Sequence, residues 1–195
     1  LCEPGYYSPG QGALACIECP VGSYSSGYGA TICTSADLGS FVNTTGAVES
    51  TPCPVGRYTD TEGQSSCLPA NPGSFVNEFG ASESTPCAPG RFSGSAFSSC
   101  LDCEAGRFAA DEGSDTCSLA DPGSFVSGTG ATGQKDCSEG SYSPGEGGKI
   151  CLDCSPGTFA ANDGAEICED AKAGHYVDTP GAIEDIECEA GTYTN

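Results

Sequence analysis

The chain has 195 residues, among them 15 Cys, 29 Gly and 13 Pro, and its 6 basic against 27 acidic side chains leave a formal charge of −21. That surplus of carboxylate repels phosphate backbones and anionic lipid, which excludes nucleic acid and electrostatic membrane attachment as roles, and no apolar run approaches the ~18 residues of a bilayer-spanning segment. Leu, Ile, Val and Phe number only 28, a composition that with this charge reads as disordered unless cross-links replace the missing core; the cysteine density supplies that exception. An oxidising compartment, extracellular or at the cell surface, follows. With no Met in the chain and no signal peptide, the expectation is a processed or partial segment of a longer protein.

From the N-terminus onward the sequence repeats with a period of 17, broken by one step of 16. Twelve modules, numbered 1 to 12, open at Cys2, Cys19, Ala36, Cys53, Ala70, Cys87, Cys103, Ala120, Cys137, Cys154, Ala171 and Cys188. Three residues after each opening stands a glycine, from Gly5, Gly22 and Gly39 through to Gly174 and Gly191. Five residues after it stands Tyr or Phe, from Tyr7, Tyr24 and Phe41 to Tyr176 and Tyr193, so 12 of the 16 aromatics share one position. A second glycine falls ten after the opening, as at Gly12, Gly29, Gly46 and Gly63, in every complete module except the one at Cys87, which is also the short one. The first glycine permits positive φ or close backbone approach before a short extended segment, and the second turns the chain back. Each module is therefore expected to be a small irregular hairpin with no sustained helical period. Its aromatic is expected to pack on the next module in a ladder, with modules touching only their neighbours. The fold class expected is small, disulfide-rich and mostly irregular with short β-hairpins, an elongated rod of tandem 17-residue modules.

Spacing alone does not give the cysteine connectivity, but the degenerate modules do. Where Ala36, Ala70, Ala120 and Ala171 replace the opening cysteine, Ser50, Ser84, Gln134 and Asp185 replace the one fourteen later. Joint loss of both ends implies pairs within modules: Cys2 with Cys16, Cys19 with Cys33, Cys53 with Cys67, Cys87 with Cys100, Cys103 with Cys117, Cys137 with Cys151 and Cys154 with Cys168. Cys188 opens a module whose closing position lies past residue 195. Closing a loop of about 15 residues contributes on the order of 3 kcal/mol in the chain-entropy model. A zinc or redox reading of Cys-x2-Cys is disfavoured, since one His and cysteines held in one register with Gly and aromatic do not form a four-ligand set or a thioredoxin-like unit.

The pattern Cys-x2-Gly-x-Tyr/Phe, a glycine turn, then Cys-x2-Cys, as at Cys19, Gly22, Tyr24, Gly29 and Cys33, resembles the ephrin-receptor-like cysteine-rich repeat. It is also similar to the first submodule of tumour-necrosis-factor-receptor cysteine-rich domains. The resemblance covers the whole chain and implies disulfide-laddered repeats of cell surfaces and extracellular matrices. The full six-cysteine receptor domain is absent and four modules lack a bridge, so no ligand-contact residue carries over.

Catalytic groups are scarce. His175, the only His, sits four after its opening, where other modules carry Ser40, Arg57, Arg91 or Arg107, and is expected to be an exposed strand side chain rather than a base. The carboxylates of Asp111-Glu112-Gly113-Ser114-Asp115 lie in a turn without EF-hand spacing and read as solvated. No enzyme activity, cofactor or metal is expected. Asn43-Thr44-Thr45 is an N-glycosylation sequon in a module turn, and 39 Ser and Thr leave room for O-linked sugar. The modules without a bridge carry Val42, Val76, Val126 and Val177 after the aromatic, where bridged modules carry Ser8, Ser25, Thr59, Ser93, Ala109, Ser143, Ala160 and Thr194. Such a Val either fills the space of the lost disulfide, the favoured reading, or forms an exposed stripe for a neighbouring chain or glycan. The functional expectation is an extracellular structural repeat protein, a stalk or fibre subunit whose partners are proteins, through self-association or other surface proteins, and attached glycans. The alternative is a ligand-binding receptor ectodomain using Arg57, Arg91 and Arg107.

Overall fold

The computed structural model describes residues 1–10 and 15–191; Gly12, Tyr193, Thr194 and Asn195, which belong to the repeat pattern, lie outside the described residues. Among the described residues there is no helix, and 11 two-stranded antiparallel hairpins follow one another, one in each of modules 1 to 11. In module 1, Tyr6–Tyr7 pairs with Ile17–Glu18, Tyr7 opposite Ile17. In module 11, His175–Tyr176 pairs with Ile186–Glu187 in the same register.

The chain before each hairpin makes a tight turn that its residues dictate. Tyr6 N–H donates to Glu3 O at 3.1 Å, and Gly5 between them has φ +86°. Positive φ at the third residue of a four-residue turn is the type II pattern, which calls for Gly there and favours Pro just before it, as Pro4, Pro72, Pro89, Pro122 and Pro156 provide. The same bond recurs in later modules, for instance Ser40 N–H to Asp37 O at 3.0 Å and His175 N–H to Lys172 O at 2.9 Å.

The contacts divide the chain into two compact units. The first comprises Leu1–Cys87 with Ser93–Cys100, and the second Ala88–Phe92 with the chain from Leu101. In the first unit each module is tied to the next by four backbone hydrogen bonds. Between modules 2 and 3 these run from Gly22 N to Val42 O (2.8 Å), Ser25 N to Ala47 O (3.1 Å), Ala36 N to Gly22 O (2.8 Å) and Gly46 N to Cys19 O (2.8 Å). The set repeats at every step from module 1 to module 6. In the second unit it repeats from module 7 to module 11, as in Gly123 N to Ser143 O, Val126 N to Gly148 O, Cys137 N to Gly123 O and Gly147 N to Ala120 O. The ladder satisfies backbone groups that a chain with so little regular structure would otherwise leave to water.

Contacts reach further than nearest neighbours, contrary to the expectation from the repeat. A Cβ on Gly5 would overlap the carbonyl oxygen of Gly46, and one on Gly39 that of Gly80, two modules on. In the second unit Gly106 meets Gly147 and Gly140 meets Gly181 in the same way. Each of these first glycines thus lies where three modules meet, and both φ and space exclude a side chain there, whereas Gly157, Gly174 and Gly191 have positive φ but nothing within 4 Å of an added Cβ.

Burial follows from that close approach. The opening residue is fully buried in module after module, with Cys19, Ala36, Cys53, Ala70, Cys103 and Ala120 all at 0% exposure. The residue after the aromatic is buried as well, whether Ser25, Thr59, Ser93, Ala109 or Val42. Among the described residues, the aromatics five after each opening are half-buried apart from Phe159, which is buried. The core is therefore a line of small side chains flanked by rings, rather than a ladder of rings. Phe92 packs on the buried cluster of Cys103, Ala109 and Cys117 in the next module, so the ring does reach its neighbour as expected.

The short module also resolves into the common pattern. Ala96 has φ +62°, the only positive value outside glycine among the described residues, and its N–H donates to Ala70 O at 2.8 Å. That is the bond the second glycine makes elsewhere, so Ala96 holds the second-glycine position and the missing residue falls in the turn before it.

Candidate functional site

Seven disulfides close the bridged modules: Cys2–Cys16, Cys19–Cys33, Cys53–Cys67, Cys87–Cys100, Cys103–Cys117, Cys137–Cys151 and Cys154–Cys168. These are the pairs that joint loss of both ends implies. Cys188 is free and half-buried. Seven bridges in one chain point to an oxidising environment.

Two open concavities lie over these bridges. One groove of about 410 Å³ is lined by Phe92, Leu101, Asp102, Glu104, Arg107 and Cys117, and another of about 400 Å³ by Tyr7, Val21, Ile32 and Cys33 among others. In both, the ring of one module and the closing cysteine of the next line the same hollow. The first, with Phe92, Leu101 and Cys117 beside Asp102, Glu104 and Arg107, suits contact with a side chain or ring better than enclosure of a reacting group.

Each of the three arginines is engaged within its own module. Arg57 donates through Nη1 to Cys67 O at 3.1 Å, and Arg107 likewise to Cys117 O at 2.9 Å. Arg91 Nε donates to Asp102 Oδ1 at 2.7 Å, an exposed cross-strand ion pair. Two of the three thus satisfy the carbonyl of a closing cysteine, a role that the sequence signals only by placing these arginines in modules 4, 6 and 7, all bridged.

The modules without a bridge use their closing position differently. Asp121 N–H donates to Gln134 Oε1 at 2.7 Å, while Gln134 Nε2 donates to Asp121 Oδ2 at 2.7 Å. Lys172 N–H donates to Asp185 Oδ2 at 2.9 Å, which holds the Asp185 carboxyl below its ordinary range. In both modules a side chain fourteen along reaches the residue after the opening alanine, spanning the gap a disulfide closes elsewhere. Ser50 and Ser84 make no such bond among the described residues. Val42, Val76, Val126 and Val177 are all buried, which removes the exposed-stripe reading. In the bridged module 4 the equivalent Thr59 has its Oγ1 4.0 Å from Cys53 Sγ, so this position faces the bridge of its own module, and the valines occupy the corresponding space.

His175 departs from its expected exposure. It is half-buried, paired across the hairpin with Glu187, and its Nδ1 is enclosed without a hydrogen-bond partner. In the acidic turn, Asp111, Glu112 and Asp115 are exposed and Ser114 Oγ donates to Asp111 O at 2.8 Å. Among the described residues no group of three or more His, Cys, Asp or Glu is arranged to hold a metal ion. Tyr6 Oη donates to Glu18 Oε1 at 3.2 Å, and that carboxylate raises the phenol above its ordinary range. Asn43 is exposed.

No protein-family model and no curated protein matches the chain.

Proposed function

We propose that the chain is part of an extracellular structural protein, a stalk or fibre component at a cell surface or in a matrix, built from cysteine-rich repeats of the ephrin-receptor-like kind. The observation that carries this reading is the unbroken tie from module to module within each unit: four backbone hydrogen bonds per step, and a second glycine seated on the module two before it. Such a construction spends its sequence on repetition, with interchangeable surface positions and a fixed interior. Seven disulfides support an oxidising, extracellular setting. The rival reading, a receptor ectodomain capturing a ligand through its arginines, falls behind because all three are engaged in bonds within their own modules. Small-angle scattering of the oxidised protein tests the proposal. A compact domain of this length has a radius of gyration of about 16 Å. A stalk gives a value well above that figure, and a value close to it overturns the reading.

A further inference from the structure

Asn43-Thr44-Thr45 is the one complete Asn-x-Ser/Thr triplet in the sequence, and the fold presents it in a particular way. Val42 is buried at 3% exposure and pinned on both sides, its N–H donating to Gln64 O at 3.0 Å and its carbonyl accepting from Gly22 N–H at 2.8 Å. Four residues after Val42, Gly46 is held by its N–H to Cys19 O at 2.8 Å, with φ +64°. Between these anchors Asn43, Thr44 and Thr45 are all exposed. Module 5 builds the same loop: Val76 is buried at 3%, with bonds to Phe97 O and from Gly56 N–H, and Gly80 with φ +72° donates to Cys53 O. Asn77, Glu78 and Phe79 are exposed between them. Asn43 and Asn77 are equivalent, and of the two positions at which the loops then differ, Thr44 against Glu78 and Thr45 against Phe79, it is the second that completes the triplet at Asn43.

We propose that Asn43 is an N-glycosylation site and that the exposed loop after the buried valine, shared by modules 3 and 5, is its acceptor geometry. The inference rests on the extracellular reading above, because the donor belongs to the secretory pathway. In the transfer, Asn43 Nδ2 forms a bond to the anomeric carbon of an oligosaccharide carried on a polyprenyl pyrophosphate. The bond from that carbon to the pyrophosphate oxygen breaks, the lipid pyrophosphate leaves with the electron pair, and the amide gives up one proton. Thr45 supplies the hydroxyl by which the triplet is selected. The folded loop then leaves the sugar in solvent, clear of the buried Val42.

The test is expression behind a secretion leader in a eukaryotic host, with intact mass before and after peptide N-glycosidase and a count of free thiols. One releasable glycan is expected on the parent chain and none on Asn43→Gln or Thr45→Ala. Phe79→Thr, which completes a triplet at Asn77, is expected to carry two. A secreted chain with seven bridges but no releasable sugar overturns the site and leaves the extracellular reading standing. Sugar that persists in Asn43→Gln overturns the assignment, and a single glycan on Phe79→Thr overturns the shared loop. A chain recovered from this host without its bridges counts against the extracellular reading, and the site falls with it.

Discussion

The two glycine positions are required for different reasons, and substitutions separate them. Ala96 stands in a second-glycine position with φ +62°, a conformation costing a residue with Cβ about 1–2 kcal/mol. Ala96→Gly removes that cost but gives the unfolded chain more freedom, worth about 0.4–1 kcal/mol, so a net gain of about 0.5–1 kcal/mol is expected. Gly80→Ala is the reverse change. Its φ is +72° and an added Cβ would lie 3.5 Å from Pro52 Cβ, an ordinary contact, so the loss should match the Ala96 gain in size. Gly39→Ala is far worse, because its Cβ would overlap the Gly80 carbonyl oxygen. Moving away breaks the bonds from Gly39 N to Thr59 O (3.0 Å) and from Cys53 N to Gly39 O (2.8 Å). Two bonds at about 0.5–1.5 kcal/mol each, added to the dihedral cost, predict a loss of roughly 2–4 kcal/mol. Stability in a repeat array is local, so the assay is native-state hydrogen exchange at the amides of Ala96, Gly80 and Gly39 and their neighbours. A change of 0.5–1 kcal/mol appears as roughly 2- to 5-fold in protection. Equal losses for Gly39→Ala and Gly80→Ala, or lower protection in Ala96→Gly, would refute the three-module account of the first glycine.

Two further outcomes are expected. Val42→Ala should cost about 1.5 kcal/mol, from two buried carbons at about 0.8 kcal/mol each, while Val48→Ala, at a side chain 47% exposed, should cost under about 0.5 kcal/mol; denaturant unfolding of the oxidised protein checks this, and equal effects would remove Val42 from the core. For Asp185, a carboxyl held below its ordinary range contributes its stabilisation above the unfolded pKa of about 3.9 and loses it as pH falls through the folded value, so the Lys172 amide proton resonance should move in acid below about pH 4; the same movement in Asp185→Asn would assign the titration to another group.

Much of this fold was legible because the sequence repeats the same experiment twelve times. Joint loss at Ala36 and Ser50, and at three other pairs, fixed the connectivity without any geometry, and glycine at one position in every module marked a backbone constraint. What a repeat cannot reveal is which copies touch. Gly5 and Gly46 are 41 residues apart, and strict periodicity makes every second glycine an equal candidate for the neighbour. The rings do reach the next module, as Phe92 does, but the line of small buried residues beside them leaves a weaker signal: the strands are two residues long and end at the ring, as in Ser40–Phe41, and Val42 lies beyond, in chain held by both adjacent modules. His175 was misjudged, since a variable position predicts tolerance and says little about exposure. At the candidate sites the bonds of Arg57 and Arg107 to Cys67 O and Cys117 O run to backbone carbonyls, which leave no trace in residue identity.

The order in which parts of a module prove replaceable follows from where each acts. A disulfide closes one module and works largely by restricting the unfolded chain, about 3 kcal/mol for a loop of this size. Modules 3, 5, 8 and 11 dispense with it, and no two of them are adjacent. Each is held instead by backbone bonds to bridged modules, as module 3 is to modules 2 and 4. A buried Val in place of Ala adds about 1.5 kcal/mol, from two buried carbons, and in module 8 the Gln134 bond to the Asp121 amide adds about 0.5–1.5 kcal/mol more. In module 8 those terms together approach the size of the lost bridge, so the exchange there is close to even. First glycines such as Gly5, Gly39, Gly106 and Gly140 have no such substitute, because the obstacle to a side chain is the backbone of another module and not a space that a different residue can fill. Cross-linking in this fold is therefore one of several ways to close a module, whereas the close approach at these glycines admits no side chain at all.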